Sequence, residues 1–250
     1  GSTSVGKKVL AAAAENLTPV VLELGGKSPC IVDKSADIKR TALRIVWGKF
    51  MNAGQTCIAP DFVLVHKSVH KELVEAMVKE IKKLYGAESS HSAHYGRIIH
   101  ANAWERLVNL IDQRKIKFGG MYDKSNLFNS PTILDTVDIT DRCMQEEIFG
   151  PILPVMTFEQ VEDLPSFLSK EKPLALYVFG SSIIIEAISL LIFFILISQN
   201  FRISWSFVVF NSFECIPMSL RNFIKIYPKN HFDVLGEIAE VEDNRITFKD

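Results

Sequence analysis

Phe62-Val63-Leu64-Val65 is followed almost at once by Ser68-Val69-His70-Lys71-Glu72-Leu73-Val74-Glu75-Ala76-Met77-Val78-Lys79-Glu80-Ile81-Lys82-Lys83-Leu84-Tyr85. The first run is continuously apolar, as a strand buried on both faces is. The second spaces Leu73, Val74, Met77, Ile81 and Leu84 three and four apart among charged residues, which predicts an amphipathic helix. A buried strand feeding a helix is the unit of an α/β domain. The same alternation continues in both directions. Residues 4 to 16, with the run Ala11 to Ala14, predict a helix, and Thr18-Pro19 a stop before a buried strand at Val20 to Leu24. A short apolar piece surrounds Ile31. Asp37 is placed to cap a helix with Ile38, Leu43, Ile45, Val46 and Phe50 inward, broken by Asn52-Ala53-Gly54-Gln55 just before Cys57. Ala101 to Gln113 predicts a further helix and Val161 to Ser169 another. Strands are expected at Ile116 to Phe118, Thr132 to Leu134, Leu153 to Phe158 and Ala175 to Phe179. The prediction is an α/β domain with a largely parallel sheet and no internal repeat.

Composition narrows the function classes. The 250 residues are 48% hydrophobic and 23% charged, enough for a substantial core and too apolar for a disordered chain. A formal charge of −1 offers no attraction for a phosphate backbone, so no nucleic-acid partner is expected. Cys30, Cys57, Cys143 and Cys215 show no C-x-x-C spacing, which disfavours a disulfide framework or a thiolate metal site and suits a reducing compartment. A secretory signal is not expected, because no charged start, apolar run and cleavage site are read before the first helix. The text of the chain changes after Ser182: 12 of the 13 glycines lie before that point, and 9 of the 17 phenylalanines after it.

Several residues carry chemistry or imitate it. Gly1-Ser2-Thr3-Ser4-Val5-Gly6-Lys7-Lys8 nearly spells a phosphate-cradling G-x-x-x-x-G-K-[ST], but Lys8 stands where a hydroxyl must hold magnesium, which disfavours a nucleoside triphosphatase. A Gly-Ser turn opening a helix remains, either a plain capped start or free N–H groups suited to a pyrophosphate. His66 and His70 lie four apart, yet Lys67 replaces the glutamate of a metalloprotease motif and no third ligand is in view, so a solvated helix start and no metal are expected. Glu23 within an apolar strand either pairs with a cation or serves as a general base. Cys57, after a glycine-containing break, is either a buried inert thiol or a nucleophile at a cleft. Glu146-Glu147-Ile148-Phe149-Gly150-Pro151 sets two carboxylates beside an aromatic ring and a turn.

Together, Glu23-Leu24-Gly25-Gly26-Lys27-Ser28-Pro29, Gly54-Gln55-Thr56-Cys57 and Glu147-Ile148-Phe149-Gly150-Pro151 resemble the three signature motifs of the aldehyde dehydrogenase superfamily, in order. The longer strings Leu17 to Cys30, Trp47 to Cys57 and Met144 to Pro154 resemble its class 3 branch, which includes fatty aldehyde dehydrogenase, and the likeness runs from Gly1 to Phe179. The resemblance implies residues 1–28 as the remnant of a Rossmann-like cofactor domain most of which is missing. It implies 29–180 as an aldehyde dehydrogenase-like catalytic domain, incomplete at its C-terminal end. It further implies oxidation of aldehydes to carboxylic acids with NAD or NADP. Cys57 is then the nucleophile that forms a thiohemiacetal and then a thioester, and Glu23 activates the water that hydrolyses it. Glu147 holds the nicotinamide ribose, Phe149 packs near the nicotinamide ring, and Gly1 and Ser2 form the turn at the pyrophosphate. The oxyanion is held by the Cys57 N–H and by an asparagine expected upstream of Gly1. A small-molecule aldehyde substrate and a homo-oligomer of the complete enzyme are implied as well.

The likeness ends at Gly180-Ser181-Ser182-Ile183-Ile184-Ile185-Glu186, where the family has a glycine-rich stretch. Residues 181–250 are expected as an apolar tail foreign to the family. Its stretch 183–201 is a membrane segment, foreign sequence or a buried helix, and Asp233 to Asp250 a solvated acidic end. The location follows the tail: cytoplasmic, or at the endoplasmic reticulum membrane if it anchors. Two other functions stand beside aldehyde oxidation, a catalytically impaired fragment that binds membrane or subunits, and a cofactor-free thiol esterase.

Overall fold

Local sequence chemistry sets the first helix, seen in a computed structural model that describes residues 1–167, 173–181, 238–242 and 245–248. Helix α1 (Thr3–Ala14) starts at Ser2, whose hydroxyl accepts a hydrogen bond from the Val5 N–H at 3.3 Å. It ends before Leu17, which takes φ 53°. Gly6 is its buried residue, set against the Leu22 and Leu24 side chains.

The strand expected at Val20 to Leu24 is not formed. Residues 20–28 run without regular structure, and Val21 is 91% exposed. An apolar run becomes a strand only by pairing its backbone, and among the described residues this one meets no neighbouring strand. The first strand is β1 (Pro29–Val32), buried at every position.

Helix α2 (Ile38–Phe50) is capped by the Asp37 carboxylate, which accepts from the Arg40 N–H at 3.1 Å. Ile38, Ile45, Val46 and Phe50 face the core as expected, and Ala42 joins them. Leu43 does not: lying two residues before Ile45 it turns outward, in one stripe with exposed Trp47 and Met51. Strand β2 (Phe62–His66) leads into α3 (His70–Tyr85), which packs on α2 and stops at Gly86 with φ 83°. Helix α4 (Ala101–Leu110) is capped by His100 and ends three residues before the expected Gln113, because Ile111 turns extended.

Strands β3 (Ile116–Phe118), β4 (Tyr122–Asp123), β5 (Phe128–Asn129), β6 (Thr132–Leu134) and β7 (Ile152–Phe158) follow, then the short helix α5 (Leu164–Phe167) and β8 (Tyr177–Phe179). The end of the predicted helix, Leu168 and Ser169, lies outside the described residues. Gly119 and Gly120, both at φ near +80°, turn the chain after β3. The main sheet runs β3-β6-β7-β2-β1-β8, and its β6, β7, β2, β1 and β8 are mutually parallel while β3 closes the edge antiparallel. Strands β4 and β5 pair as a separate ribbon. The largely parallel sheet agrees with the sequence.

The chain divides into two compact units, Gly1–Cys215 and Ile216–Asp250. In the second, β9 (Ile238–Glu242) pairs antiparallel with β10 (Arg245–Phe248), so the end expected to be merely solvated contains a ribbon. The segment 183–201 lies outside the described residues. No helix among the described residues is long and apolar enough to cross a membrane.

Candidate active site

Three loops meet because three parallel neighbours begin beside one another. Residues 23–28 lead into β1, the turn with Cys57 precedes β2, and Glu147 to Pro151 enters β7 directly. In the order β7-β2-β1 all three entrances fall on the amino-terminal edge of the sheet, opposite the carboxyl edge where open α/β sheets usually hold ligands.

The contacts between the loops are close. A Cβ on Gly25 would lie 1.9 Å from a Glu147 carboxylate oxygen, so a side chain at this position would displace that carboxylate. A Cβ on Gly54, which has φ 73°, would lie 2.3 Å from the Gly150 carbonyl oxygen. Lys27 is buried and joins all three loops: its ammonium pairs with Asp61 and donates to the carbonyls of Cys143 and Glu146, each at 2.9 Å. The second Asp61 oxygen accepts from the Ile148 N–H at 2.9 Å, and the Asp61 N–H donates to the Ser28 carbonyl at 2.8 Å. From α4, Arg106 donates to a Glu146 carboxylate oxygen at 3.2 Å and to the carbonyls of Glu147, at 3.1 Å, and Ile148.

Cys57 is a free, exposed thiol on a turn closed by the Ala59 N–H to the Thr56 carbonyl at 3.1 Å. The residues before it are wound left-handed: Asn52, Ala53 and Gly54 have φ 52°, 51° and 73°. Such backbone costs about 1–2 kcal/mol for a non-glycine residue. Gln55 holds it in place, its amide donating to the carbonyls of Asn52 and Arg97, each at 3.0 Å, and accepting from the Ile99 N–H at 2.9 Å. Tyr177 reaches over from β8 and its hydroxyl donates to the Ile58 carbonyl.

Burial pushes the half-buried Glu147 carboxyl upward and Asp61 adds to this, whereas the Gly26 N–H, Arg106 and Lys49 oppose it. Lys49, 1% exposed on the inward face of α2, is lowered to about 8 by its burial, against the upward pull of Asp61 and Glu147. Burial likewise pushes the Cys143 thiol up to about 11 and Cys30 higher still, which leaves both inert.

Of the residues singled out by sequence, Glu147 lies against Gly25 and Phe149 is 40% exposed with φ 47° on the same loop. Gly1 and Ser2 open α1, and the Gly1 amine donates to the Glu23 carbonyl at 2.7 Å. Glu23 departs from expectation: it is exposed, not buried in a strand, and among the described residues no hydrogen bond links it to Cys57. His66 and His70 each make another contact. His66 caps the turn before α3, and His70 pairs with Asp135 at 2.7 Å. No cluster able to hold a metal ion occurs among the described residues.

Sequence reading missed Lys27, Lys49, Asp61, Arg106 and Tyr177. Lys49 could have been found, for it lies four residues after Ile45 and so shares the buried face of α2. Arg106 and Tyr177 act on backbone carbonyls far away in the chain, and no local pattern signals that.

The model of the aldehyde dehydrogenase family matches residues 1–181. The mouse protein named "Aldehyde dehydrogenase, dimeric NADP-preferring" is 50% identical over 183 residues, covering 73% of this chain and 40% of its own length. Mouse "Aldehyde dehydrogenase family 3 member A2" is 48% identical over 181 residues, 72% of this chain and 37% of that protein. The chain thus spans about two fifths of the length of these curated relatives. Among solved structures, a substrate-bound Staphylococcus aureus AldH superposes with a TM-score of 0.74 at 41% identity, covering 85% of this chain and 44% of the other.

Proposed function

The chain belongs to the aldehyde dehydrogenase family, and from that premise we propose that its site serves NAD(P)-dependent oxidation of an aldehyde to a carboxylic acid, with Cys57 as nucleophile. The observation that carries this reading is the meeting of the three loops, Gly25 on Glu147 and Gly54 on Gly150, beside a free exposed thiol.

The Cys57 thiolate attacks the carbonyl carbon, and the negative oxygen of the resulting thiohemiacetal is held by the Cys57 N–H. The nicotinamide, when bound, supplies the hydride acceptor that turns this adduct into a thioester. Glu23 takes a proton from the water that releases the acid and frees the thiol. The residues present fit the ribose end of the cofactor: the space a Cβ on Gly25 would fill is taken by the half-buried Glu147 carboxylate, an acceptor for ribose hydroxyls. Phe149 would pack near the nicotinamide, and Gly1 and Ser2 at the start of α1 would meet the pyrophosphate. Exposed Trp47, Met51 and Ile58, on the helix and turn around Cys57, favour an apolar aldehyde such as a fatty one. The word "dimeric" in a relative's name supports a homo-oligomer.

The test is reduced-cofactor formation at 340 nm with a long-chain aldehyde and NAD or NADP, for the protein and for Cys57→Ala. Loss of turnover in the variant is expected. Undiminished turnover by Cys57→Ala rejects the assignment. A second reading, a catalytically impaired fragment that binds subunits or membrane, draws on the exposed Glu23 and on exposed Val5, Val9, Leu10, Val21 and Leu22. Steady turnover by the 250-residue chain would rule it out.

A further inference from the structure

The turn that carries Cys57 is anchored on both sides but thinly held in the middle. Before it, Gln55 is fixed by three hydrogen bonds to Asn52, Arg97 and Ile99. After it, the Asp61 N–H is fixed to the Ser28 carbonyl. Pro60 has no N–H to give. Between these anchors the Ala59 N–H to Thr56 carbonyl bond closes the turn, and from β8 Tyr177 takes hold of it through the Ile58 carbonyl. Tyr177 stands on β8 in register with Cys30 of β1 and is 9% exposed, so its ring is set by the sheet while its hydroxyl reaches the turn.

We propose that Tyr177 is a positioning residue for the nucleophile, its hydroxyl fixing the peptide after Ile58 and so the direction in which the Cys57 sulfur and N–H meet a carbonyl group. This rests on the reading of Cys57 as nucleophile. Attack and oxyanion binding need the sulfur and the N–H on the same carbonyl at once, whereas simple alkylation needs only an accessible thiolate. A loosened turn therefore harms the first reaction and spares the second. Burial, with the nearby Cys30 and Cys57 sulfurs adding to it, pushes the Tyr177 hydroxyl up to about 12, so it remains a donor throughout the neutral range.

Both reactions can be followed on the 250-residue chain without cofactor. With p-nitrophenyl acetate the Cys57 thiolate, its proton lost to buffer, forms an S–C bond to the acetyl carbon, and the C–O bond breaks to release p-nitrophenolate. Iodoacetamide alkylates the same sulfur with loss of iodide. Peptide mass spectrometry assigns both products to Cys57. For Tyr177→Phe the expected result is acylation slowed by about 3- to 30-fold with alkylation changed by less than about twofold, and the same ratio from pH 6 to 9. Tyr85→Phe, which removes a tyrosine hydroxyl from α3, changes neither rate. Equal acylation by wild type and Tyr177→Phe overturns the proposal, as does an equal loss in both reactions. If Tyr177→Phe does not fold, Tyr177→Met, which also lacks a donor, carries the comparison. No acetyl group on Cys57 of the wild type would instead remove the nucleophile reading itself, and the role of Tyr177 with it.

Discussion

Replacing one hydrogen of Gly54 by a methyl group sets that carbon 2.3 Å from the Gly150 carbonyl oxygen, at a φ of 73° that alanine avoids. Neither atom belongs to a flexible side chain, so backbone must move. Gly54→Ala is expected to cost about 3 kcal/mol or more, read from the urea midpoint. A loss below about 1 kcal/mol means the two loops do not touch as described. Lys49 makes a different kind of prediction. Its folded pKa of about 8 lies below the unfolded value of about 10.4. Below pH 8 both states carry the proton and the folded state bears the whole cost of burying it. Between those two values the unfolded state binds more protons, so stability rises with pH. The stability of wild type relative to Lys49→Met should therefore climb from pH 8 toward 10, by about 1 kcal/mol per unit. A flat difference in urea unfolding across that window shows that the ammonium is not buried. The glycine was visible in the sequence as a break; its neighbour across the fold was not, since Gly150 is brought there by the pairing of β2 with β7.

The left-handed turn from Asn52 to Gly54 is an element that local propensity opposes, and Ala53 in particular gains nothing from φ 51°. Gln55 binds its far end. Gln55→Ala removes three hydrogen bonds at once and should cost about 2–3 kcal/mol. It should also raise the amide exchange of residues 52–57 above that of β2; unchanged protection would place the restraint elsewhere. Strands β2, β6 and β7 and helices α2 and α3 were legible because their own apolar pattern decides them, whereas β1 showed only as a short apolar piece. The run Val20 to Leu24 has the same apolar signature as β1, yet it stays unpaired, because a strand is a property of two segments and sequence displays one. Leu43 was misjudged for a simpler reason: hydrophobicity suggested burial where the helical period turns the position outward.

At the level of the whole molecule, Lys27 is the tie between the loops before β1, β2 and β7. Lys27→Met leaves Asp61 buried without its cation and is expected to cost about 3–5 kcal/mol. Pairing it with Asp61→Leu should restore part of that loss, and a double-mutant cycle measures how much. Simple addition of the two losses would mean that the pair does not interact. The sequence displayed three motifs through their resemblance to a family, whereas the contacts of the buried charges that join them, Lys27 inside the first motif and Asp61 between the second and the third, became visible only with the fold. The pairing of Gly54 with Gly150 also has a temporal side. A ribosome adds about 5–20 residues per second, so Cys57 emerges on the order of 10 s before the loop that completes its surroundings has been synthesised. During that interval the nascent thiol is open to any oxidant or electrophile it meets, and the order of the motifs along the message sets how long a newborn chain must be kept in reducing company.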